Sequence, residues 1–360
     1  MDKLVCIEDF RDAAFKLLDQ NALDYYKSGA DDEVTLRENR NAFSRWVIRP
    51  RMLRDVTSRS LSISVLGKPV SIPIGISPTA MQKMAHPDGE IANAKAAAAM
   101  GTIYILSTIS TSSIEEVASA TPRSRKWFQL YVYKDRNLSI NLIKRAEAAG
   151  FEALCLTVDA PYFGKRRLNF RNKFYLPRHL RMANFQHGSG ESEGVGASGG
   201  GSALNEYIDR NLDQSLTWEI IPWLKKVTRL PIIVKGILTA EDAKLALEFG
   251  VDGIFVSNHG GRQLDTVLAS IDALPEIVEV VKGRCDIYLD GGVSTGKDIF
   301  KALALGATMV FAGRPFLWGL TVAGEEGSKK ILKTFKDELD LTMSLSGISN
   351  VKDITPEYVS

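Results

Sequence analysis

Eight short β-rich runs recur along the chain, at 72–77, 102–108, 126–132, 153–159, 231–237, 253–259, 286–291 and 309–313. Between most of them lies a helical pattern that closes in small residues and a glycine, as in Ala97-Ala98-Ala99-Met100-Gly101 and at 146–150, 246–250 and 302–306. Strand, helix, glycine, strand is the repeat of a β/α unit. The runs are continuous in valine, isoleucine and leucine rather than alternating, as parallel strands covered on both faces must be. Eight such units predict an α/β chain closed into a (β/α)8 barrel, after an N-terminal helical segment and within one domain over 1–360. A doubly wound open sheet shares the same local repeat and stays as the alternative.

One interval breaks the period. Between the fourth run and the fifth, the stretch around His187 to Ser202 is dominated by glycine and serine, with few apolar residues to bury. A flexible insertion over about 186–204 is expected to leave the C-terminal face of the barrel, either as a lid or as a surface excursion with no catalytic part.

With 360 residues, 45% of them hydrophobic, the chain can bury a large core. A net charge of +2 spread evenly gives no electrostatic footprint for nucleic acid. Cys6, Cys155 and Cys285 are far apart, odd in number and without metal-ligand spacing, so free thiols are expected, with no disulfide and no metal site. The longest apolar stretch, 302–313, is too short to span a bilayer, so no membrane partner is expected.

A barrel keeps its chemistry at the C-terminal ends of its strands. Polar residues gather there: Pro78-Thr79-Ala80 after the first run, Ser107-Thr108-Ile109 after the second, Gln129 and Tyr131 on the third, Thr157 and Asp159 on the fourth, Lys235 on the fifth, Ser257 and His259 on the sixth. Buried amides, hydroxyls and an ammonium on apolar strands are costly unless something bonds to them, and a flat heterocycle with polar edges would do so. The last two runs end in Asp290-Gly291-Gly292 and Gly313-Arg314, where glycine amides and an arginine can cradle a phosphate. Ring-binding groups and a phosphate pocket together describe a mononucleotide such as FMN.

The segment Ser257-Asn258-His259-Gly260-Gly261-Arg262-Gln263-Leu264-Asp265 sets a base and a fixed cation three residues apart behind an apolar strand. By itself His-x-x-Arg reads as a solvated turn. At a barrel mouth it suits an anionic substrate that must lose a proton.

These residues carry a resemblance. Ile76-Ser77-Pro78-Thr79-Ala80, Gln129-Leu130-Tyr131, Thr157-Val158-Asp159-Ala160-Pro161, Lys235-Gly236-Ile237, the segment 257–265, Asp290-Gly291-Gly292-Val293 and Gly313-Arg314-Pro315 resemble the FMN-dependent 2-hydroxy acid oxidases, glycolate oxidase and its eukaryotic relatives. Nearly the whole chain matches, including Tyr25-Tyr26-Lys27-Ser28-Gly29-Ala30-Asp31-Asp32. The resemblance implies that His259 is the active-site base and that Asp159 orients it, although Asp159 could also cap its strand. It further implies that Tyr25 and Arg262 clamp the substrate carboxylate, and that Tyr131 donates to the reacting hydroxyl. Arg166 becomes a second cation over the site, unless Lys165-Arg166-Arg167 is only a basic loop. Lys235 falls beside flavin N1 and O2.

Two positions depart from the family pattern. Ile109 stands where glycolate oxidases carry tryptophan, which enlarges the substrate pocket and puts glycolate in doubt. Ser294 stands where the phosphate loop usually carries arginine, leaving the phosphate to glycine amides, Arg314 and the serine hydroxyl. The expected activity is oxidation of (S)-2-hydroxy acids of medium or long chain, or aromatic ones, to 2-oxo acids with O2 reduced to hydrogen peroxide. A dehydrogenase with another acceptor, or a lactate monooxygenase, is the rival within the fold. A Schiff-base aldolase using Lys235, or a barrel that only binds phosphorylated ligands, is the rival outside it. The resemblance also implies a homotetramer and a peroxisomal location, although Tyr358-Val359-Ser360 is not a Ser-Lys-Leu-like address.

Overall fold

A computed structural model describes residue 1, residues 3–185 and residues 202–360. A two-stranded antiparallel hairpin, β1 (Ile63–Val65) and β2 (Lys68–Val70), precedes eight parallel strands: β3 (Ile74–Ile76), β4 (Tyr104–Leu106), β5 (Lys126–Leu130), β6 (Leu154–Thr157), β7 (Ile232–Ile237), β8 (Gly253–Val256), β9 (Asp286–Leu289) and β10 (Met309–Ala312). Each strand pairs with the next in sequence, and β10 pairs with β3 through Val310 with Ile74 and Ala312 with Ile76, which closes the barrel. Closure removes the open-sheet alternative. All eight expected runs are strands, but most end short of the expected boundary at the C-terminal side, where the chain leaves the ladder to build the rim of the cavity above it.

Two cores hold the barrel. The interior is filled by Ile103, Ile105, Trp127, Cys155, Ile233, Phe255, Tyr288, Met309 and Phe311, with Trp127 edge-on to Tyr288 at 5.1 Å and Phe255 the same distance from Phe311. Side chains of this size leave no channel, as layered packing in such barrels requires. Val65 and Val70 of the hairpin join this interior core and plug its N-terminal end, where Leu66 N–H donates to Asp286 Oδ2 at 2.9 Å. The second, larger core lies between the outer strand faces and the helices. The glycines that close the helical patterns, Gly101, Gly150, Gly250 and Gly306, all have positive φ, so each helix ends where the sequence placed its stop.

The N-terminal segment forms helices Ile7–Leu17, Gln20–Lys27 and Val34–Arg45, and these pack over the C-terminal mouth. Asp265 anchors the last of them: its carboxylate accepts from the backbone N–H groups of Asp32, Val34 and Thr35 at 2.8–3.2 Å. A side chain of the loop after β8 thereby holds a helix more than two hundred residues away. Most of the insertion expected at 186–204 lies outside the described residues; the helix Ala203–Asn211 follows, with Ser202 at its N-cap position. Among the described residues no helix is long and apolar enough to cross a membrane.

Candidate active site

At the C-terminal mouth lies a cavity of about 340 Å³, within the range of small-molecule sites. Tyr25, Pro78, Thr79, Ala80, Ser107, Ile109, Gln129, Tyr131, Thr157, Arg166, Lys235, His259, Arg262, Asp290, Gly291, Gly292, Gly313 and Arg314 all border it. Asp159 and Ser257 do not border it; they stand behind the residues that do. Eight strand ends and the N-terminal helices thus converge on one hollow, although the contributing positions span nearly the whole sequence.

His259 follows β8 in the left-handed backbone region, φ 58°. This is uncommon for a non-glycine residue and turns the side chain off the strand line. Its Nδ1–H donates to Asp159 Oδ1 at 2.9 Å, leaving Nε2 as the free ring nitrogen. Burial holds the imidazole below its ordinary pKa; Asp159 pulls the other way, while Lys235 and Arg166 push further down. A neutral imidazole with one fixed tautomer can accept a proton near neutral pH. Burial works against the Asp159 carboxylate, but His259 and Lys235 outweigh it and hold Asp159 below the usual carboxylate range. Asp159 is therefore an anion in contact with the imidazole, not only a strand-end cap.

Three arginines surround this pair. Arg262 lies over the Tyr25 ring, 4.8 Å from its centroid, and its Nη1 donates to Tyr25 O at 2.6 Å. Arg166 is fully buried over the Phe163 ring at 4.9 Å. Arg314 donates to the carbonyls of Tyr26, Gly260 and Ser28. Burial first, and Arg262 second, bring Arg166 and Arg314 each down to about 9. Three mutually repelling, desolvated cations bordering one cavity constitute a receptor for anions. Tyr131 is pushed well up by burial and Asp159, so its phenol is a donor.

The polar strand ends around the cavity also satisfy one another. Gln129 Oε1 accepts from Thr108 N–H at 3.1 Å, and Gln129 Nε2 donates to Thr157 Oγ1 at 3.1 Å. Lys235 Nζ donates to Ser257 Oγ at 2.7 Å and pairs with Asp290 Oδ2 at 3.2 Å, and Ser77 and Ser257 complete the Asp290 carboxylate. Burial alone would depress Lys235, but Asp290 and Asp159 hold it above its ordinary value. An ammonium so held is a poor amine nucleophile, and the Schiff-base reading loses its chemistry. The sequence argument that these groups need an outside partner was too strong, because strand-end neighbours supply much of it.

Sequence reasoning placed Tyr25 on the N-terminal wall but missed the rest of it. Asn39 and Arg40 border the cavity, and Asn39 exchanges two side-chain hydrogen bonds with Asn258 at 2.8 and 2.7 Å. A Cβ on Gly292 would strike the Asn39 carbonyl, so this glycine is required by helix packing as well as by any ligand. Ser77 and Phe163 were missed too, the first as a holder of Asp290 and the second as the platform for Arg166. Only Ser77 had a signal, being a hydroxyl at the end of an apolar run.

Residues 14–360 match the model of the FMN-dependent dehydrogenase family. The chain belongs to this family. It is 52% identical to 2-hydroxyacid oxidase 1 of Mus musculus, over 100% of this chain and 97% of the relative, and 52% identical to glycolate oxidase 3 of Arabidopsis thaliana, over 98% and 95%. Among solved structures it is similar to mandelate oxidase with (S)-4-hydroxymandelic acid, at a TM-score of 0.92 and 38% identity over 99% of this chain and 98% of that one.

The family's cofactor is FMN, and the cavity fits it on observations independent of the family. Lys235 is a buried cation, Gln129 and Thr157 offer an amide and a hydroxyl edge, and Arg314, Gly291 and Gly292 also border the cavity. Ser294 also borders the cavity, and its buried Oγ has no hydrogen-bond partner among the described residues. A heterocycle along Lys235, Gln129 and Thr157 and a phosphate near the glycines would employ each of these groups.

Proposed function

We propose that this FMN-dependent dehydrogenase family member oxidises (S)-2-hydroxy acids to 2-oxo acids and passes the electrons to O2, yielding hydrogen peroxide. The observation that carries the reading is the His259–Asp159 pair placed among Arg166, Arg262 and Tyr25. The arginines bind the carboxylate, Tyr131 donates to the hydroxyl oxygen, and His259 Nε2 takes a proton from the substrate. That proton is the α-proton if the electron pair is left on carbon, and the hydroxyl proton if the α-hydrogen leaves with its electrons. Asp159 stabilises the imidazolium in both cases. FMN, when bound, supplies the two-electron acceptor and the route to O2. Pro78, Thr79, Ala80, Ser107, Gln129, Thr157 and Lys235 would hold the ring, with Ser257 and Asp290 holding Lys235. Gly291, Gly292, Gly313 and Arg314 would hold the phosphate.

The proposed substrates are medium or long-chain, or aromatic, because Ile109 is buried in the cavity wall with a side chain smaller than tryptophan. The similar solved structure, a mandelate oxidase with an aromatic hydroxy acid, supports this choice; the relatives named glycolate oxidase stand against it. Anaerobic bleaching of the flavin by an (S)-acid, followed by peroxide yield in air across acids of graded length, tests the reading. Bleaching by the R-enantiomer alone would overturn it. Bleaching without peroxide would assign the dehydrogenase or monooxygenase instead. A homotetrameric state and a peroxisomal location belong to the same proposal, and are read by sedimentation and by microscopy of tagged protein.

A further inference from the structure

We propose that Gln263 is a positioning residue that holds the segment 159–166 in register with His259, so that one amide sets the placement of both Asp159 and Arg166. The inference rests on the function proposed above. Gln263 is 6% exposed, and its side chain spends its whole hydrogen-bonding capacity on that segment. Nε2 donates to the carbonyls of Asp159 and Tyr162, each at 2.8 Å. Oε1 accepts from Gly164 N–H at 3.2 Å and from Arg166 Nη2 at 3.3 Å. Two donors and two acceptor sites are all that a glutamine amide has. The orientation is set by the partners, because an exchanged amide would turn its donors onto the Gly164 N–H and the arginine.

The surrounding backbone gives this amide few substitutes. Arg166 Nε reaches Arg262 O at 3.3 Å, so the segment also touches the backbone of the residue before the glutamine. A Cβ on Gly164 would collide with the carbonyls of Arg262 and Gln263, which shows how closely the two backbones lie. His259 and Arg262 sit on one partner of this junction, and Asp159 and Arg166 on the other. The amide therefore aligns base with orienting carboxylate, and one substrate cation with the other. Asparagine is one methylene too short to reach, leucine offers no bonds, and glutamate cannot donate to two carbonyls while giving Arg166 an anion of its own.

The test uses Gln263→Leu and the isosteric Gln263→Glu, purified with FMN and normalised to bound flavin. Anaerobic reduction by (S)-mandelate in single turnover separates the apparent substrate Kd from the limiting rate. Losing an acceptor to a buried cation is expected to raise the Kd by about tenfold or more, with a smaller fall in limiting rate and unchanged flavin content. Hydrogen exchange at 160–166 should accelerate in both variants. Gln263→Glu should show the larger Kd, because its carboxylate competes with the substrate for Arg166. Flavin-loaded variants matching the wild type in Kd and limiting rate would overturn the proposal, as would unchanged exchange at 160–166. If Gln263→Leu does not fold, the glutamate variant carries the same comparison. A wild-type protein that neither this acid nor any (S)-acid of the graded series reduces would remove the proposed function, and the exchange rates would then decide the role of Gln263.

Discussion

Gly236 abuts Asp159: a Cβ built on this glycine would lie 2.6 Å from the aspartate Cβ. Gly236 occupies the irregularity in β7 between Lys235 and Ile237, at φ +112°, where an L side chain is strained whatever space it finds. The missing side chain thus makes room for the carboxylate that orients His259. Gly236→Ala is expected to displace Asp159 and slow anaerobic flavin reduction by roughly ten- to hundredfold. Single-turnover reduction on flavin-loaded protein checks it, and a rate equal to wild type would show that Asp159 has another place to go.

The acid limb of the reaction should belong to His259. Its pKa lies below the ordinary histidine value, so the base form dominates above about pH 6.5 and is lost as pH falls through the depressed value. The reduction rate should be flat near neutrality and fall on the acid side. Asp159 is the contact that raises the imidazole, so Asp159→Asn should move the acid limb to still lower pH while lowering the plateau. His259→Gln should remove the limb and cut the plateau by roughly a hundred to ten thousand. A limb that moves upward in Asp159→Asn would contradict the assignment.

Ser294 brings an unpartnered hydroxyl to the end of the cavity at which Gly291 and Gly292 stand, while its N–H donates to Asp298 Oδ2 at 2.9 Å. Arg40 reaches the same region, pairing with Asp298 at 2.8 Å. Ser294→Arg should slow FMN release on dilution, followed by the return of free-flavin fluorescence, because a cation gains a charge-assisted bond to phosphate. Unchanged or faster release would mean that Arg40 or Arg314 already fills that position.

Ile109 is 1% exposed, buried where it borders the cavity. Each methylene of a longer substrate buried in the space left by a smaller side chain is worth about 0.8 kcal/mol. Catalytic efficiency should rise from glycolate through lactate to acids of four or more carbons, and Ile109→Trp should reverse that order with flavin binding intact. Steady-state kcat/KM across the series measures it. A wild-type preference for glycolate over every longer acid would show the space to be filled by another group.

The eight strands were legible in the sequence because each is a mostly apolar run with polar residues gathered toward its C-terminal end, and burial of both faces leaves a parallel strand little other composition. His259, Arg262, Lys235 and Gln129 could be placed at a mouth on that ground alone, since position along a run sets height in the barrel. Direction could not be read in the same way. Ser257 and Asp290 look equivalent to their neighbours in sequence, yet both turn toward Lys235, because the partners that satisfy them come from other strands, up to two places around the barrel. Asn39, which meets Asn258 and closes over Gly292, belongs to a helix whose docking depends on Asp265 far along the chain. Gln263 reads as one polar residue in a motif until the segment 159–166 is laid across it. The strand period is a local property, set by which residues can be buried in an extended run. The partners of a buried polar group are set by barrel closure and helix docking, and these depend on contacts between residues one to two hundred positions apart.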